Sequence, residues 1–426
     1  MRTVVLDDDP TGTQSATGVS VLLEWNTNLL AEVLTAAESV YVQTNSRAIS
    51  EPEAVALVTG VREAALAAGA RLGQEIQFVL RGDSTLRGHV FAESAVFATP
   101  GSVLRFVPAF PDGGRTTRDG IHYVRLGDRD VPAGETEYAD DPVFGFHSSN
   151  LTDYVAEKTG LPSTHVPLAA VRSGATAATL AAAPAGTVIT CDAVTNADIT
   201  LIADAVKAAR RGGHDIVVRS AAPLAAELAG VVSKGLLPTP LVPMARPTLL
   251  VCGSHTAGAT AQLSAIEPAF GRPVEVDTTM ALADPDAAGR AAATRVRRQL
   301  AVDGFAMLSS QRDRSPVHNT LDHGERVMTA LTTAVRAVRD QADVVIAKGG
   351  ITSAEVARTG LGVRRALVLG QVLNGVSVWA VEPTPGREQL YVVVPGNVGG
   401  PDTLQRVLAA VGLEESQSHA LVNQMA

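Results

Sequence analysis

Short apolar runs, each closed by a polar or glycine-containing turn, alternate along the chain with alanine-rich stretches. Thr3–Leu6, Ser39–Gln43, Ile76–Leu80, Val103–Val107, Thr187–Thr190 and Ile216–Val218 have the length and apolar character of buried strands. Helices are expected between several of them, as at Glu51–Ala68 and Ala197–Arg210. After residue 247 the alternation restarts. Strands are expected at Thr248–Cys252, Val274–Val276, Phe305–Leu308, Val344–Ala347, Val376–Ala380 and Tyr391–Val394. The helices are expected at Ala257–Ala265, Pro285–Val302, His323–Arg339 and Thr403–Val411. Strand followed by helix, repeated, predicts an α/β fold whose sheets are mainly parallel and doubly wound.

Between the two series, residues 236–247 hold four prolines in twelve residues, a density that resists helix and sheet alike. A chain of 426 residues also exceeds what one hydrophobic core usually serves. The expectation is therefore two domains, 1–235 and 248–426, joined by a linker at 236–247. Gly113–Val143, rich in Gly, Asp, Arg and Thr, reads as a long functional loop.

Composition narrows the function. Apolar content of 46% suffices for burial, and 4% aromatic content leaves the cores to Ala, Val and Leu. A net charge of −9 argues against a general binder of nucleic acid or anionic membranes. Cys191 and Cys252 lie far apart in apolar runs, so inert buried thiols are expected. No apolar run reaches the ~18 residues of a membrane span, and Met1 leads into a strand without signal-peptide character. A cytoplasmic location is expected, and a homodimer stays open as the assembly.

In the C-terminal half, predicted strands end in Gly253-Ser254-His255-Thr256, Ser309-Ser310-Gln311, Lys348-Gly349-Gly350-Ile351-Thr352-Ser353 and Pro395-Gly396-Asn397-Val398-Gly399-Gly400. Parallel open sheets bind ligands beyond the carboxyl ends of their strands. Glycine there lets backbone approach a phosphate, and a following helix offers unpaired N–H groups. One such glycine pair alone is a tight turn; several at one edge describe a site for a phosphorylated ligand. Gly253 to Thr260 has the frame of a P-loop, but Ala259 occupies the lysine position, so it is no Walker A motif.

In the N-terminal half the first strand runs into Asp7-Asp8-Asp9-Pro10-Thr11-Gly12. Adjacent carboxylates repel, and their place at a buried strand end makes sense if a substrate hydroxyl, a metal or arginines share the space. A solvated acidic turn with one capping Asp is the alternative. Other strand ends carry Asn45-Ser46-Arg47, Arg81-Gly82-Asp83-Ser84-Thr85-Leu86-Arg87 and Asp112-Gly113-Gly114-Arg115. An arginine fork takes a carboxylate at two points, and interleaved Asp, Ser, Thr and Asn suit hydroxyl groups. These point to a small hydroxylated acid, with a purely structural ion-pair network as the alternative. Acids facing a phosphate site suggest phosphoryl transfer, with the general base at Asp8 or Asp9 and the clamp at Arg47 and Arg87.

The motifs together resemble the four-carbon acid sugar kinase family, the tetronate and 3-oxo-tetronate kinase-like enzymes. Asp8, Asp9, Thr11 and Gly12 match its opening motif, and Asp83, Ser84, Thr85, Arg87 and Gly88 match its Asp-Ser-Thr-x-Arg-Gly. Pro108 to Pro111, then Gly114, Arg115 and Thr117, match a third motif. Gly253, Ser254, Thr256 and Gln262 resemble its adenine-nucleotide turn, Gly349, Gly350, Thr352 and Ser353 its Gly-Gly-x-Thr-Ser turn, and Gly396, Asn397 and Gly399 its late turn. The resemblance implies ATP and Mg2+ as cofactors and transfer of the γ-phosphoryl group to a terminal hydroxyl of a sugar acid. Thr11, Gly12, Arg47, Asp83, Ser84, Arg87 and Arg115 would bind that acid; Ser254, Thr256, Lys348, Gly349, Gly350, Ile351, Thr352, Gly396, Asn397 and Gly399 would bind the nucleotide. Pro10, Ser15, Lys348, Ile351 and Pro395 depart from the family pattern. Two other readings stay open: an NAD(P)-dependent hydroxyacid dehydrogenase, against which the missing GxGxxG counts, and a non-catalytic sugar-acid sensor.

Overall fold

The computed structural model describes residues 1–8, 10–312, 321–396 and 398–413, with the backbone alone at residues 321 and 322. The chain divides into two compact units, Met1–Lys234 and Gly235–Ala426.

The first unit contains β1 (Arg2–Asp7), β2 (Ser20–Leu22), β3 (Ser39–Gln43), β4 (Ile76–Arg81), β5 (Val103–Val107), β6 (Arg115–Arg118), β7 (Ile121–Leu126), β8 (Arg129–Pro132), β9 (Ser163–Val166), β10 (Val188–Cys191) and β11 (Ile216–Ser220). Its main sheet runs β2-β3-β1-β4-β11-β5-β10-β9. Every pairing in it is parallel, with Leu6 beside Val42 and Leu80 and Asp7 beside Gln43 and Arg81. The ends of β1, β3, β4, β11 and β5 thus share one edge. Val4, Leu6, Leu22, Val40 and Leu80 pack beneath helix Glu51–Leu72 through Val58, Val61 and Ala65. A second cluster of this unit is rich in aromatics: Phe106 lies 5.9 Å from both Phe91 and Tyr154, and Phe146 lies 5.7 Å from Tyr154.

The expected long loop at 113–143 is in large part a three-stranded antiparallel sheet, β6-β7-β8. Asp119 and Gly120 both take positive φ, 51° and 80°, in the turn between β6 and β7. An Asp-Gly pair favours that conformation in a tight hairpin, and the polar residues flanking it hid the strands' alternation.

The second unit contains β12 (Thr248–Cys252), β13 (Val274–Val276), β14 (Phe305–Ser310), β15 (Val344–Lys348), β16 (Arg365–Leu373), β17 (Val376–Thr384) and β18 (Arg387–Val394). Their order is β13-β14-β12-β15-β18-β17-β16, parallel as far as β18 and antiparallel across β17 and β16. The α/β class with mainly parallel sheets therefore holds, with an antiparallel hairpin margin in this unit. β14, β12, β15 and β18 are neighbours, which brings the four small or polar strand ends side by side. Residues 236–247 lie along this unit: Leu237 N–H donates to Gln371 (2.7 Å), Leu241 N–H to Ala410 (2.7 Å), and Leu237, Leu241 and Ala245 pack on its core. Trp379 is fully buried in β17 beside Tyr391, 5.7 Å between rings. Among the described residues no helix is long and apolar enough to cross a membrane.

Candidate active site

The edge of the first unit gathers charge out of water. Asp7 is fully buried at the end of β1 and accepts from Arg81 Nη1 at 3.0 Å. Burial pushes its carboxyl up to about 7, against the opposing pull of Arg81. A Cβ on Gly12 would lie 2.1 Å from Asp7 Oδ1, so glycine is required where the turn closes over that carboxylate. Asp7 is sealed in, whereas Asp8 is the centre of a network. Its Oδ1 lies 3.4 Å from Arg81 Nη1 and 3.6 Å from Arg47 Nε, and its Oδ2 lies 3.2 Å from Arg219 Nη2. Arg81 also donates to Thr11 Oγ1 at 3.0 Å. Asp9 lies outside the described residues.

Arg47 links Asp8 to Asp83, 3.6 Å from its Nη1. It stands in the short turn after Asn45, whose φ of 52° is a left-handed value that Asn tolerates. Asp83 accepts from Arg87 Nε at 2.9 Å and from the Thr85 hydroxyl. Burial works to raise the Asp83 carboxyl, but Arg87, Arg47 and the Thr85 bond outweigh it and hold it well below the usual carboxylate range. Arg87 stacks on Tyr138, 5.0 Å from the ring centre, and Arg115 hydrogen-bonds the same tyrosine. Burial draws the Arg115 guanidinium downward, with Tyr138 opposing.

Supporting groups set the 83–88 loop. Ser84 carbonyl lies 2.8 Å from His122 Nε2, and Thr117 Oγ1 lies 3.0 Å from its Nδ1. Burial depresses His122 to about 4, so the ring is neutral near pH 7. A carbonyl can only accept, so Nε2 carries the proton and Nδ1 accepts from Thr117. Leu86 has φ of 69°, and Tyr154 donates to its carbonyl at 2.7 Å. The structure thus joins Asp8, Thr11, Gly12, Arg47, Asp83, Ser84, Arg87 and Arg115 in one connected cluster.

Sequence reasoning missed Arg219 and Glu93. Both are buried, Arg219 pairs Glu93 as well as Asp8, and a Cβ on Gly82 would lie 2.6 Å from Arg219 Nε. The available signal was an arginine closing the apolar run Ile216-Val217-Val218, one residue past where that strand was expected to stop.

In the second unit, Thr256 caps helix Ala257–Phe270 by accepting from Ala259 N–H (3.2 Å) and donates to Gly396 carbonyl (3.2 Å). Ser254 Oγ lies 3.3 Å from Thr256 Oγ1. A Cβ on Gly253 would be 2.5 Å from Thr352 Oγ1; on Gly349 (φ 116°), 3.0 Å from Ser254 Cβ and Thr352 Oγ1; on Gly396, 3.0 Å from Ser254 Oγ. These turns pack their glycine backbone directly against the Ser254 and Thr352 side chains, an approach that a Cβ would prevent. Gly350 opens helix Gly350–Glu355, where Ile351 is exposed and Thr352 buried. Gly399 (φ 87°) sits against Thr403, and Gln262 Nε2 donates to Val398 (3.3 Å) and Gly399 (3.5 Å) carbonyls. Asn397 lies outside the described residues. Lys348 is fully buried, and its amine donates to Pro395 carbonyl at 2.6 Å. Burial lowers it to about 8; the lysine fastens the turn before Gly396. Arg312, also missed, donates to Ser254 carbonyl (2.6 Å) and Thr260 Oγ1 (2.8 Å). Among the described residues no group of three or more His, Cys, Asp or Glu is placed to hold a metal ion.

Comparison with known proteins matches this two-part layout. Residues 3–228 match the family model of a sugar-binding N-terminal domain, and residues 249–404 that of a nucleotide-binding C-terminal domain. A D-erythronate kinase of Heliobacterium modesticaldum is 33% identical over 254 residues, covering 58% of this chain and 54% of the relative. The chain belongs to the four-carbon acid sugar kinase family. D-threonate kinases that share its sequence occur in Bordetella bronchiseptica, 33% identical over 63% of each chain, and in Salmonella typhimurium, 32% over 48% of each. The matches thus span about half to under two thirds of those kinases' length. Solved structures share the fold: a Haemophilus influenzae protein of the DUF1537 family (17% identity, TM-score 0.61, 96% of this chain and 99% of that one) and a Salmonella typhimurium LT2 protein (18%, 0.67, 95% and 98%).

Proposed function

We propose that this member of the four-carbon acid sugar kinase family is an ATP-dependent kinase that phosphorylates a terminal hydroxyl of a four-carbon sugar acid. The observation carrying the reading is Asp8 and Asp83 tied through Arg47, with Arg87 and Arg115 meeting on Tyr138. A purely structural ion-pair cluster has no need of five arginines at one strand edge. A hydroxylated acid uses them: Arg47 and Arg87 take its carboxylate by two-point contact. Asp8 accepts the proton of the attacking hydroxyl, and Arg81 and Arg219 hold Asp8 in place. Asp83 keeps Arg87 aimed and accepts from a second hydroxyl.

The glycine turns at 253, 349 and 396 suit a nucleotide because they gather closely packed backbone and the hydroxyls of Ser254 and Thr352 beyond neighbouring parallel strand ends. Bound ATP with Mg2+ supplies the phosphoryl group and neutralises its developing charge. Mg2+ is held in such sites mainly by phosphates and one or two carboxylates, so a dedicated protein cluster is not required. Ser254 would offer its hydroxyl to a phosphate oxygen, and Thr256, whose hydroxyl donates to the Gly396 carbonyl, would hold the turn beside it. Ile351 offers only its backbone to the nucleotide, and Lys348 acts through the turn it fastens.

Assay of ADP release with ATP, Mg2+ and D-erythronate, D-threonate and their stereoisomers tests the reading; turnover with at least one four-carbon acid is expected. No turnover across the panel, or a nicotinamide absorbance change with a hydroxy acid and NAD(P), would overturn it.

A further inference from the structure

We infer that Arg219 is a positioning residue for Asp8 and that Glu93 sets its aim, an inference that rests on Asp8 acting as the base in the proposed reaction. Arg219 closes β11, and its guanidinium divides between Asp8 Oδ2, 3.2 Å from Nη2, and Glu93 Oε2 on Nη1. Glu93 comes from helix Val90–Phe97, and the side chains of all three are at most 3% exposed. Two glycines make room for the group. A Cβ on Gly82 would lie 2.6 Å from Arg219 Nε and Nη2, and one on Gly88 would lie 3.5 Å from Nη2 and 3.3 Å from Asp8 Oδ2.

The arrangement is asymmetric in a useful way. Among the described residues, Arg47 and Arg81 make their closest approach to Asp8 at Oδ1, whereas Arg219 makes its closest approach at Oδ2. Removing it frees the carboxylate to turn about its Cβ–Cγ bond toward Oδ1's partners. Removing Glu93 instead lets Arg219 close on Asp8 with its whole fork and compete with an incoming hydroxyl for Oδ2. Glu93 thus acts at a distance, through the arginine. The pair is read as a tether of fixed length, with the helix as its anchor.

Three variants of the full-length enzyme separate this role from simple stabilisation: Glu93→Gln, Arg219→Lys, and the doubly neutral Glu93→Gln with Arg219→Gln. Each single change leaves a buried charge poorly matched and is expected to lower Tm. Each should also lower kcat about tenfold to a hundredfold while leaving the KM for ATP within about twofold of wild type. The double variant removes both charges and should regain much of the lost Tm. Under the positioning role its kcat stays low. Recovery of kcat together with Tm would overturn the inference, as would an unchanged kcat in both single variants. If the double variant does not fold, the split between kcat and the ATP KM in Arg219→Lys decides: a rise in KM with kcat intact overturns the inference. A wild-type enzyme inactive with every four-carbon acid overturns the functional reading itself.

Discussion

Two adjacent aspartates, both out of water, serve opposite ends. Asp7 is closed off by Gly12, while Asp8 is shared among Arg47, Arg81 and Arg219. Replacing Asp8 with Asn keeps the shape and removes the proposed proton acceptor. The expected outcome is a loss of about a hundredfold or more in kcat, with nucleotide affinity unchanged by calorimetric titration. Asp7 makes a different claim. Its folded carboxyl titrates near 7, above the ordinary 3.8. The folded state therefore holds a proton there that the unfolded state releases, and this contribution to stability is full below about 4 and lost as pH rises through about 7. Asp7→Asn has no such loss. The difference in Tm, variant minus wild type, should become more positive between pH 5 and pH 8. At this scale the sequence was partly legible. The strand-end rule found Asp8, Arg47, Asp83, Arg87 and Arg115 because each lies in the segment that follows a strand-like apolar run. Arg219 and Glu93 escaped it, since an arginine ending one strand and a glutamate inside a helix become partners only through the order in which strands line up.

Elements position these groups through a few long-range hydrogen bonds. The 83–88 loop is held from two directions, by His122 at Ser84 and by Tyr154 at Leu86. Tyr154→Phe removes one donor and leaves a buried carbonyl unmet, a cost of about 1–3 kcal/mol. Chemical denaturation should report that loss, and the KM for the acid should rise because Arg87 follows the loop. In the second unit the turns depend on missing side chains. Gly349→Ala adds a Cβ 3.0 Å from Ser254 at a φ of 116°. It should raise the KM for ATP about tenfold or more, by strain at a glycine-only conformation, and leave the KM for the acid unaltered. Element identity was readable in most continuous apolar runs, as in β1, β3 and β12, although β2 and β16 went unpredicted despite apolar runs at 21–23 and 366–369. It failed in β6 to β8, where Thr, Arg and His alternate with few apolar residues and the Asp-Gly turn was the better guide.

The two candidate sites lie in separate units, each with its own core. Ligands that bind the folded state raise Tm in proportion to RT ln(1 + [L]/Kd). A non-hydrolysable ATP analogue and a four-carbon acid should therefore each shift the wild-type transition upward. Gly349→Ala should shrink the analogue's shift and retain the acid's; an equal loss of both would count against separate sites. Proline density singled out residues 236–247, yet proline says nothing about what a segment rests on. Leu237 and Leu241 carry that information, and the structure lays residues 236–247 on the second unit's core.

The buried ring in β17 has a practical consequence. The chain has two tryptophans, Trp25 in the first unit and Trp379 in the second, the latter fully buried beside Tyr391. Tyr391 in turn donates to the carbonyl of Ser353, in the helix that follows the Gly349 turn. Trp25→Phe would leave one indole fluorophore, reached from the Gly349 turn through a single phenol. Its emission would become an optical readout of the second unit alone and, under the proposed function, would follow nucleotide loading without a label or a coupled assay.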